Sequence, residues 1–301
     1  MGDVNEQAVI RSFIAQEKVP DSFHDTIRQW YLPLVNDLVG KVRSGHLSCI
    51  GVSGCQGSGK STLAGFMSTM LADVHQLRVV SISMDDVYLT RAERQALGSR
   101  VHPLLATRGV PGTHDVALAL ATLNALQQSG EVKIPRFDKS SDDRVAEAQW
   151  DRVRAPVDLV IFEGWCLGTP AQPEEALSHP VNPLEQVEDQ DGTWRGYVNR
   201  CLSDEYAEWF NALQYLIFLK APNFDAVYRW RGRQEDKLRQ KLVEQSVDSK
   251  STKVMDESQL SRFIQHYERL TCHSLQELPS IADVIFELNE EQMIERCLRK
   301  Q

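Results

Sequence analysis

The sequence has no long hydrophobic run and no excess of basic residues. Its longest apolar runs, Leu159–Phe162 and Tyr215–Leu219, are far shorter than the roughly 18 residues that a membrane-spanning helix needs. The first residues lack the basic start and apolar core of a secretory signal, so we expect a cytoplasmic protein that binds no membrane. With 33 Lys and Arg against 42 Asp and Glu, the net charge is −9, which argues against a general nucleic-acid-binding protein.

Closely spaced cysteine pairs are also missing. The six cysteines contain no C-x-x-C pair, which favours buried reduced thiols over disulfides or a zinc site. A composition of 42% hydrophobic and 25% charged residues is ordinary for a globular protein and excludes disordered and fibrous classes. We therefore expect one large α/β domain with insertions.

Short apolar segments alternate with amphipathic ones along the chain. Helices are predicted between the strands, among them Asp115–Gln128, Leu202–Leu213 and Phe224–Val243. This alternation is typical of βαβ units and predicts a mainly parallel sheet. The predicted strands are Leu47–Val52, Arg78–Ser83, Val157–Phe162, Tyr215–Leu219 and Val284–Leu288.

A glycine-rich loop follows the first predicted strand. Its residues fit G-x-x-x-x-G-K-[ST] at every fixed position, and the amphipathic segment after it supplies the helix that this motif requires. Backbone N–H groups of such a loop converge on phosphate oxygens, Lys60 reaches the β- and γ-phosphates, and the Ser61 hydroxyl ligates Mg²⁺. The motif predicts a three-layer fold of the P-loop NTP hydrolase type. The predicted nucleotide-binding residues are Gly54, Cys55, Gln56, Gly57, Ser58, Gly59, Lys60, Ser61 and Thr62.

Carboxylates follow two other predicted strands. Asp85 and Asp86 come after the second strand, and Glu163 comes after the third. Open α/β sheets bind their ligands at the carboxyl ends of the strands, where one carboxylate can deprotonate an acceptor hydroxyl and another can hold Mg²⁺. We assign the first role to Asp85 and the second to Glu163, with Asp85 as a further metal ligand. The alternative for each is a helix cap.

The residues around these carboxylates resemble a known group of kinases. Ser83–Tyr88 and Phe162–Gly164 are similar to elements of uridine kinase, phosphoribulokinase and bacterial pantothenate kinase. Arg108–Asp115 and Pro135–Arg144, together with Glu163-Gly164-Trp165, resemble the D-glycerate 3-kinase type of plants and its microbial relatives. The resemblance covers roughly residues 45–290. The sequence departs from it at Val87, where the group usually has Phe.

The resemblance implies an ATP- and Mg²⁺-dependent kinase for a hydroxyl of a small acidic metabolite, with D-glycerate as the best acceptor and 3-phosphoglycerate as product. It also implies that Asp85 is the catalytic base and that an Arg-rich lid helix closes over the γ-phosphate. We count Lys60, Arg229 and Arg233 as catalytic with Asp85, and Arg231 as a further lid candidate. The alternative for this helix is a solvated face with i,i+4 ion pairs.

The segment before the third strand carries many polar side chains, and we assign it to the acceptor. Arginine recognises carboxylates in a bidentate manner, which suits a small hydroxy acid. His114 precedes a helix start and fits a capping or packing role equally well. The predicted substrate-binding residues are Asp86, Tyr88, Arg108, His114, Arg136, Lys139 and Arg144.

We divide the chain into a helical N-terminal cap, residues 1–45, and a P-loop kinase domain, residues 46–301. Within the second lie an acceptor-binding insertion (99–155), a surface insertion (168–198) and the lid helix (224–247). Nucleoside, pantothenate and sugar-phosphate acceptors stay open as alternatives, and so does the oligomeric state. A nucleotide-dependent switch is disfavoured because no N-K-x-D element occurs and the D-x-x-G match at Asp189–Gly192 follows no predicted strand.

Overall fold

A computed structural model describes residues 2–244 and 255–300, with side chains described over residues 5–236 and 255–300. The strands are β1 (Cys49–Gly54), β2 (Val79–Ser83), β3 (Gly130–Ile134), β4 (Phe137–Asp138), β5 (Asp143–Arg144), β6 (Asp151–Ala155), β7 (Leu159–Gly164), β8 (Tyr215–Lys220), β9 (Val284–Leu288) and β10 (Ile294–Arg299). The helices are α1 (Gly2–Glu17), α2 (Phe23–Thr26), α3 (Leu32–Arg43), α4 (Lys60–Thr69), α5 (Arg91–Arg100), α6 (Val116–Leu126), α7 (Pro183–Glu188), α8 (Thr193–Ser203), α9 (Glu205–Asn211), α10 (Phe224–Glu244) and α11 (Glu257–Ile281).

The central sheet has six strands in the order β10-β9-β8-β1-β7-β2. Five of these strands run parallel to one another: β1, β2, β7, β8 and β9. The edge strand β10 pairs antiparallel with β9. The carboxyl ends of β1, β7 and β2 therefore meet at one edge. At this edge the strand register pairs Ser53 of β1 with Gly164 of β7, and Ser83 of β2 with Glu163 of β7.

Two helical layers cover the faces of this sheet. Along β7, Leu159 and Ile161 join the core beneath α1, α3 and α4, whereas Val160 and Phe162 join the core beneath α6, α8 and α9. This alternation puts apolar residues on both faces, as expected for a parallel strand buried between helices. The predicted three-layer α/β fold with a mainly parallel sheet is confirmed.

The N-terminal helices pack directly on the sheet layer. The ring of Phe66 in α4 contacts Phe13 of α1 at 5.3 Å and Tyr31 at 5.5 Å between centroids. Helices α1 and α3 therefore contribute to the same core as the P-loop helix. None of the helices within the described ranges is long and apolar enough to cross a membrane.

Several details differ from the sequence-based expectation. The single helix predicted over Leu202–Leu213 is two helices, α8 and α9, with a break at Asp204. The predicted surface insertion, 168–198, contains α7 and the acidic residues of two buried ion pairs, Arg269–Glu185 at 2.6 Å and Arg195–Asp189 at 2.9 Å. Glu185 and Asp189 are paired with arginines of other helices, which composition alone does not reveal. Of the predicted lid helix, residues 245–247 lie outside the described residues.

Candidate active site

The glycine-rich loop connects the end of β1 to the start of α4, so its backbone N–H groups gather at a helix N-terminus. Gly57 and Gly59 have φ values of +82° and +87°, a region that glycine adopts without strain. A Cβ added to Gly57 would lie 2.9 Å from Cβ of Trp230. Cys55 is buried, and burial raises the pKa of its thiol to about 12, so the loop carries no thiolate charge.

The loop forms one wall of a cleft of about 640 Å³ at the carboxyl edge of the sheet. Other walls come from the end of β2, the β4–β5 hairpin, and helices α10 and α11. The structure thus brings residues from widely separated parts of the sequence to one cavity. The predicted site residues that line it are Gln56, Gly57, Gly59, Lys60, Ser61, Thr62, Asp85, Tyr88, Arg108, Lys139, Arg231 and Arg233.

A serine and a buried carboxylate meet beside the loop. The Ser61 hydroxyl donates a 3.0 Å hydrogen bond to Oε1 of Glu163, while Oε2 is buried and has no partner among the described residues. A hydroxyl next to an unsatisfied carboxylate oxygen fits Mg²⁺, which prefers oxygen ligands and shares its coordination among few protein groups, waters and phosphates. Over residues 2–244 and 255–300, no three His, Cys, Asp or Glu side chains cluster around a metal position. The residues present therefore fit a phosphate-bound Mg²⁺ better than a metal held in an all-protein cage.

Asp85 lies in the cleft with a partner on each oxygen. Oδ1 accepts a 2.8 Å hydrogen bond from the Tyr88 hydroxyl, and Oδ2 lies 2.6 Å from Nζ of Lys139. Burial opposes ionisation of this carboxyl, but the Lys139 ammonium, with Lys60 and Tyr88, holds its pKa below the usual range. Asp85 is therefore charged at neutral pH and faces the P-loop lysine across the cleft.

Asp86 points away from the cleft and holds the wall together. Its carboxylate accepts hydrogen bonds from the backbone N–H of Ser83 at 3.2 Å and of Phe137 at 3.4 Å, and it pairs with Arg136 at 3.2 Å. Burial raises the pKa of Asp86 in spite of Arg136. Asp86 and Arg136 contact each other rather than line the cavity, so a contact of either with substrate stays a prediction.

The remaining predicted arginines differ in position. Arg108 lies at the cleft, where its guanidinium pairs with Asp142 and sits 5.6 Å from the Phe137 ring centroid. Arg144 instead donates to the backbone carbonyl of Tyr88 at 2.9 Å and to Asp115 at 3.1 Å. Arg144 thus supports the segment that carries Tyr88, and a direct contact with substrate stays a prediction.

His114 is buried behind Tyr88. The two rings stack at 4.3 Å between centroids, and Nδ1 of His114 lies 2.6 Å from the Tyr206 hydroxyl. Burial lowers the pKa of His114 to about 3, so its ring is neutral at physiological pH. A neutral, buried ring that fixes a cleft residue fits the packing interpretation better than that of an anion ligand.

The predicted lid helix, α10, separates its arginines into two groups. Arg231 and Arg233 line the cleft, whereas Arg229 pairs with Glu290 in the β9–β10 turn. Between them, Trp230 is fully buried and donates from Nε1 to the Glu290 carbonyl at 2.8 Å. The start of α10 is therefore fixed to the sheet. Of the two arginines that line the cleft, Arg231 also forms an i,i+4 ion pair with Glu235.

Sequence reasoning did not single out several residues of the cleft. Gln292 donates from Nε2 to the carbonyl of Gly57 at 2.7 Å, and Trp165, Phe263 and Tyr267 form an aromatic wall. The position of Trp165 directly after Glu163-Gly164 is a sequence signal for its place at the strand end. No local pattern marks Gln292, because its partner lies 235 residues earlier in the chain.

The chain is similar to known kinases. The profile of the phosphoribulokinase / uridine kinase family matches residues 49–168. An uncharacterized kinase of Schizosaccharomyces pombe is 36% identical over 233 residues, which cover 72% of this chain and 77% of that protein. The chloroplastic D-glycerate 3-kinase of Arabidopsis thaliana is 34% identical over 202 residues, covering 64% of this chain and 41% of that protein.

A solved structure shares the fold. The D-glycerate 3-kinase from Cryptococcus neoformans superposes with a TM-score of 0.73 at 24% identity, over 91% of this chain and 99% of that one. At this identity the likeness concerns architecture, and it extends over nearly the whole of both chains.

Proposed function

Because the chain belongs to the phosphoribulokinase / uridine kinase family and is an ATP-dependent small-molecule kinase, we propose that its acceptor is D-glycerate and its product 3-phosphoglycerate. One observation carries the proposal: a carboxylate, Asp85, shares a cleft with the P-loop and with the cationic side chains of Arg108 and Lys139, of which Lys139 pairs with it. Such cations suit an acceptor that carries a carboxylate next to its hydroxyl groups. The 34% identity with a plant D-glycerate 3-kinase supports the same acceptor. A cytoplasmic location is part of the proposal.

The proposed reaction needs little covalent chemistry from the protein. The acceptor hydroxyl gives its proton to the Asp85 carboxylate as its oxygen bonds to the γ-phosphorus, and the bond from that phosphorus to the bridging oxygen breaks to release ADP. Lys60 and the lid arginines Arg231 and Arg233 would neutralise negative charge on the transferred group. Positioning and charge stabilisation supply most of the rate enhancement in such a reaction.

Ser61 and Glu163 are the residues that we propose for Mg²⁺. When bound, the ion would neutralise charge on the phosphate oxygens and hold them in one orientation. The support is the buried, unpartnered Oε2 of Glu163 beside the serine hydroxyl. Both oxygens of Asp85 have protein partners, which favours the role of base for that residue over the role of metal ligand.

The test is ADP release with Mg²⁺-ATP against D-glycerate, L-glycerate, uridine, pantothenate and ribulose 5-phosphate, with a control lacking acceptor. Strong stimulation by D-glycerate, and 3-phosphoglycerate as its product, is the expected result. Stimulation by another acceptor would replace D-glycerate in the proposal. Equal ADP release with and without every acceptor would instead favour a nucleotide-hydrolysing switch.

A further inference from the structure

The two partners of Asp85 differ in their freedom to move. Tyr88, on Oδ1, is 3% exposed and packs between the rings of His114 and Phe137. Lys139, on Oδ2, has a side chain that is 62% exposed. A hydroxyl that approaches Asp85 from the cleft can therefore displace the lysine far more easily than the tyrosine.

The backbone that carries Lys139 is fixed, although its side chain is exposed. Lys139 lies in the β4–β5 hairpin, where Asp138 accepts hydrogen bonds from the backbone N–H groups of Ser140 at 2.9 Å and Ser141 at 3.2 Å. The fully buried Arg94 donates to the Asp142 carbonyl at 2.7 Å and pairs with its carboxylate at 3.1 Å. The hairpin thus presents the lysine to Asp85 from a hydrogen-bonded backbone, at the end of a flexible side-chain stem.

We propose that Lys139 is a displaceable cap on Asp85. With the acceptor site empty, the ammonium occupies Oδ2. An anionic acceptor draws the ammonium to its own carboxylate, which frees Oδ2 for the acceptor hydroxyl. The exchange gives the ammonium a new carboxylate partner, so the lysine is not left unpaired.

Water and neutral polyols offer the lysine no such partner. They leave the ammonium on Asp85, so the cap suppresses attack of water on ATP and selects acidic acceptors. This inference rests on the proposed function and deepens it, because it defines the acceptor class by the anionic group that uncovers the base.

The first measurement needs no acceptor. We compare ADP release from Mg²⁺-ATP by the wild type, Lys139→Met, Lys139→Arg and a control variant, Lys133→Met, whose lysine pairs with Glu147 on the surface at 2.8 Å. Removal of the cap is expected to raise acceptor-free ADP release about tenfold or more in Lys139→Met, given the usual weight of general-base catalysis. Lys133→Met is expected to stay near the wild type, and Lys139→Arg, which keeps a cation on Oδ2, is expected to release less ADP than Lys139→Met.

The second measurement compares D-glycerate with glycerol, which has a hydroxymethyl group in place of the carboxylate. In Lys139→Met we expect the KM for D-glycerate to rise about 10- to 100-fold, the usual effect of losing one charge-assisted hydrogen bond. The kcat/KM for glycerol is expected to be unchanged or higher, so the ratio of kcat/KM for D-glycerate to that for glycerol should fall sharply. The KM for ATP and the melting temperature should match those of Lys133→Met.

Two results would overturn the cap. One is acceptor-free ADP release in Lys139→Met that does not exceed the wild-type value. The other is an equal loss of kcat/KM for D-glycerate and glycerol, which would assign Lys139 to the transferred phosphate. Failure of the wild type to use D-glycerate would remove the proposed acceptor, and the acceptor-free comparison would still decide whether Lys139 caps Asp85.

Discussion

The side-chain amide of Gln292 donates a 2.7 Å hydrogen bond to the backbone carbonyl of Gly57, which joins the β9–β10 turn to the middle of the P-loop. The same turn contacts helix α10, because Glu290 pairs with Arg229 and accepts from the indole of Trp230. The last hairpin of the sheet therefore contacts both the phosphate-binding loop and the start of α10.

This link predicts an effect of Gln292 on nucleotide affinity. Gln292→Ala removes one neutral hydrogen bond to the loop, worth about 1 kcal/mol, so the KM for ATP should rise roughly 3- to 10-fold. The acceptor KM should change little. Met293→Ala is the control, since that neighbouring side chain is exposed. An unchanged KM for ATP in Gln292→Ala would mean that the loop keeps its conformation without the hairpin.

The adjacent aspartates should respond differently to the same substitution. Asp85→Asn removes the proposed base, so kcat should fall about 10²- to 10⁴-fold while ATP affinity stays nearly unchanged. Asp86→Asn disturbs the contacts to Ser83, Phe137 and Arg136. Compared with Asp85→Asn, it should therefore lower the melting temperature more and kcat less. Steady-state kinetics and thermal unfolding of both variants separate these effects. Full turnover by Asp85→Asn would show that another group takes the proton.

Glu163→Gln tests the proposed Mg²⁺ site with little change of shape. The amide oxygen can still accept the hydrogen bond from Ser61, but the negative charge beside the ion is lost. We expect the Mg²⁺ concentration for half-maximal activity to rise about tenfold, with recovery of rate at high Mg²⁺. Glu147→Gln, at an exposed position, is the control. A Mg²⁺ requirement that does not change would exclude Glu163 from the metal site.

The buried imidazole of His114 predicts a loss of stability in acid. Burial lowers its pKa to about 3, whereas an unfolded chain binds the proton near pH 6.5, so the unfolded state gains protons first as the pH falls. The free energy of unfolding should drop by about 2 kcal/mol between pH 6.5 and pH 5 from this group. Denaturant titrations of the wild type and His114→Gln measure it as a shallower pH slope in the variant. NMR of the ring should show a neutral imidazole at pH 5, and a titration midpoint near 6.5 would contradict the burial effect.

The parts of the site that sequence could predict are those with a local signal. The P-loop and the carboxylates Asp85 and Glu163 follow apolar strands directly, so their common edge comes from periodicity and parallel pairing. Which polar side chains of residues 99–155 face the cleft depends on distant partners: Asp86 pairs with Arg136, and Asp115 pairs with Arg144. Arg108 and Lys139 lie at the cavity, and nothing in their local sequence distinguishes them from those two arginines.

Strands β6 and β10 were not predicted from the sequence, for a similar reason. Strand β6 has the sequence Asp-Arg-Val-Arg-Ala and is mostly exposed, so its apolar content is too low for a strand signal. Its pairing with β3 supplies the hydrogen bonds that stabilise it. Strand β10, also mostly exposed, is defined by its antiparallel register with β9.

Two arginines of α10, one turn apart, are predicted to behave in opposite ways. Arg233 lines the cleft, so Arg233→Ala should remove a cation that acts on the transferred phosphoryl group and lower kcat about 10²- to 10³-fold, with a smaller change in the KM for ATP. Arg229 is half-exposed and pairs with Glu290, and a surface pair of this kind contributes at most about 1 kcal/mol to stability. Arg229→Ala should therefore keep kcat within a few-fold of the wild type.

Single-turnover phosphoryl transfer distinguishes the effects of the two substitutions, Arg233→Ala and Arg229→Ala, because it reports the chemical step without product release. Wild-type rates of phosphoryl transfer in both variants would mean that α10 provides packing through Trp230 and no charge to the reaction. A slow Arg233→Ala beside a normal Arg229→Ala would support the lid assignment for the cleft-facing side of the helix alone.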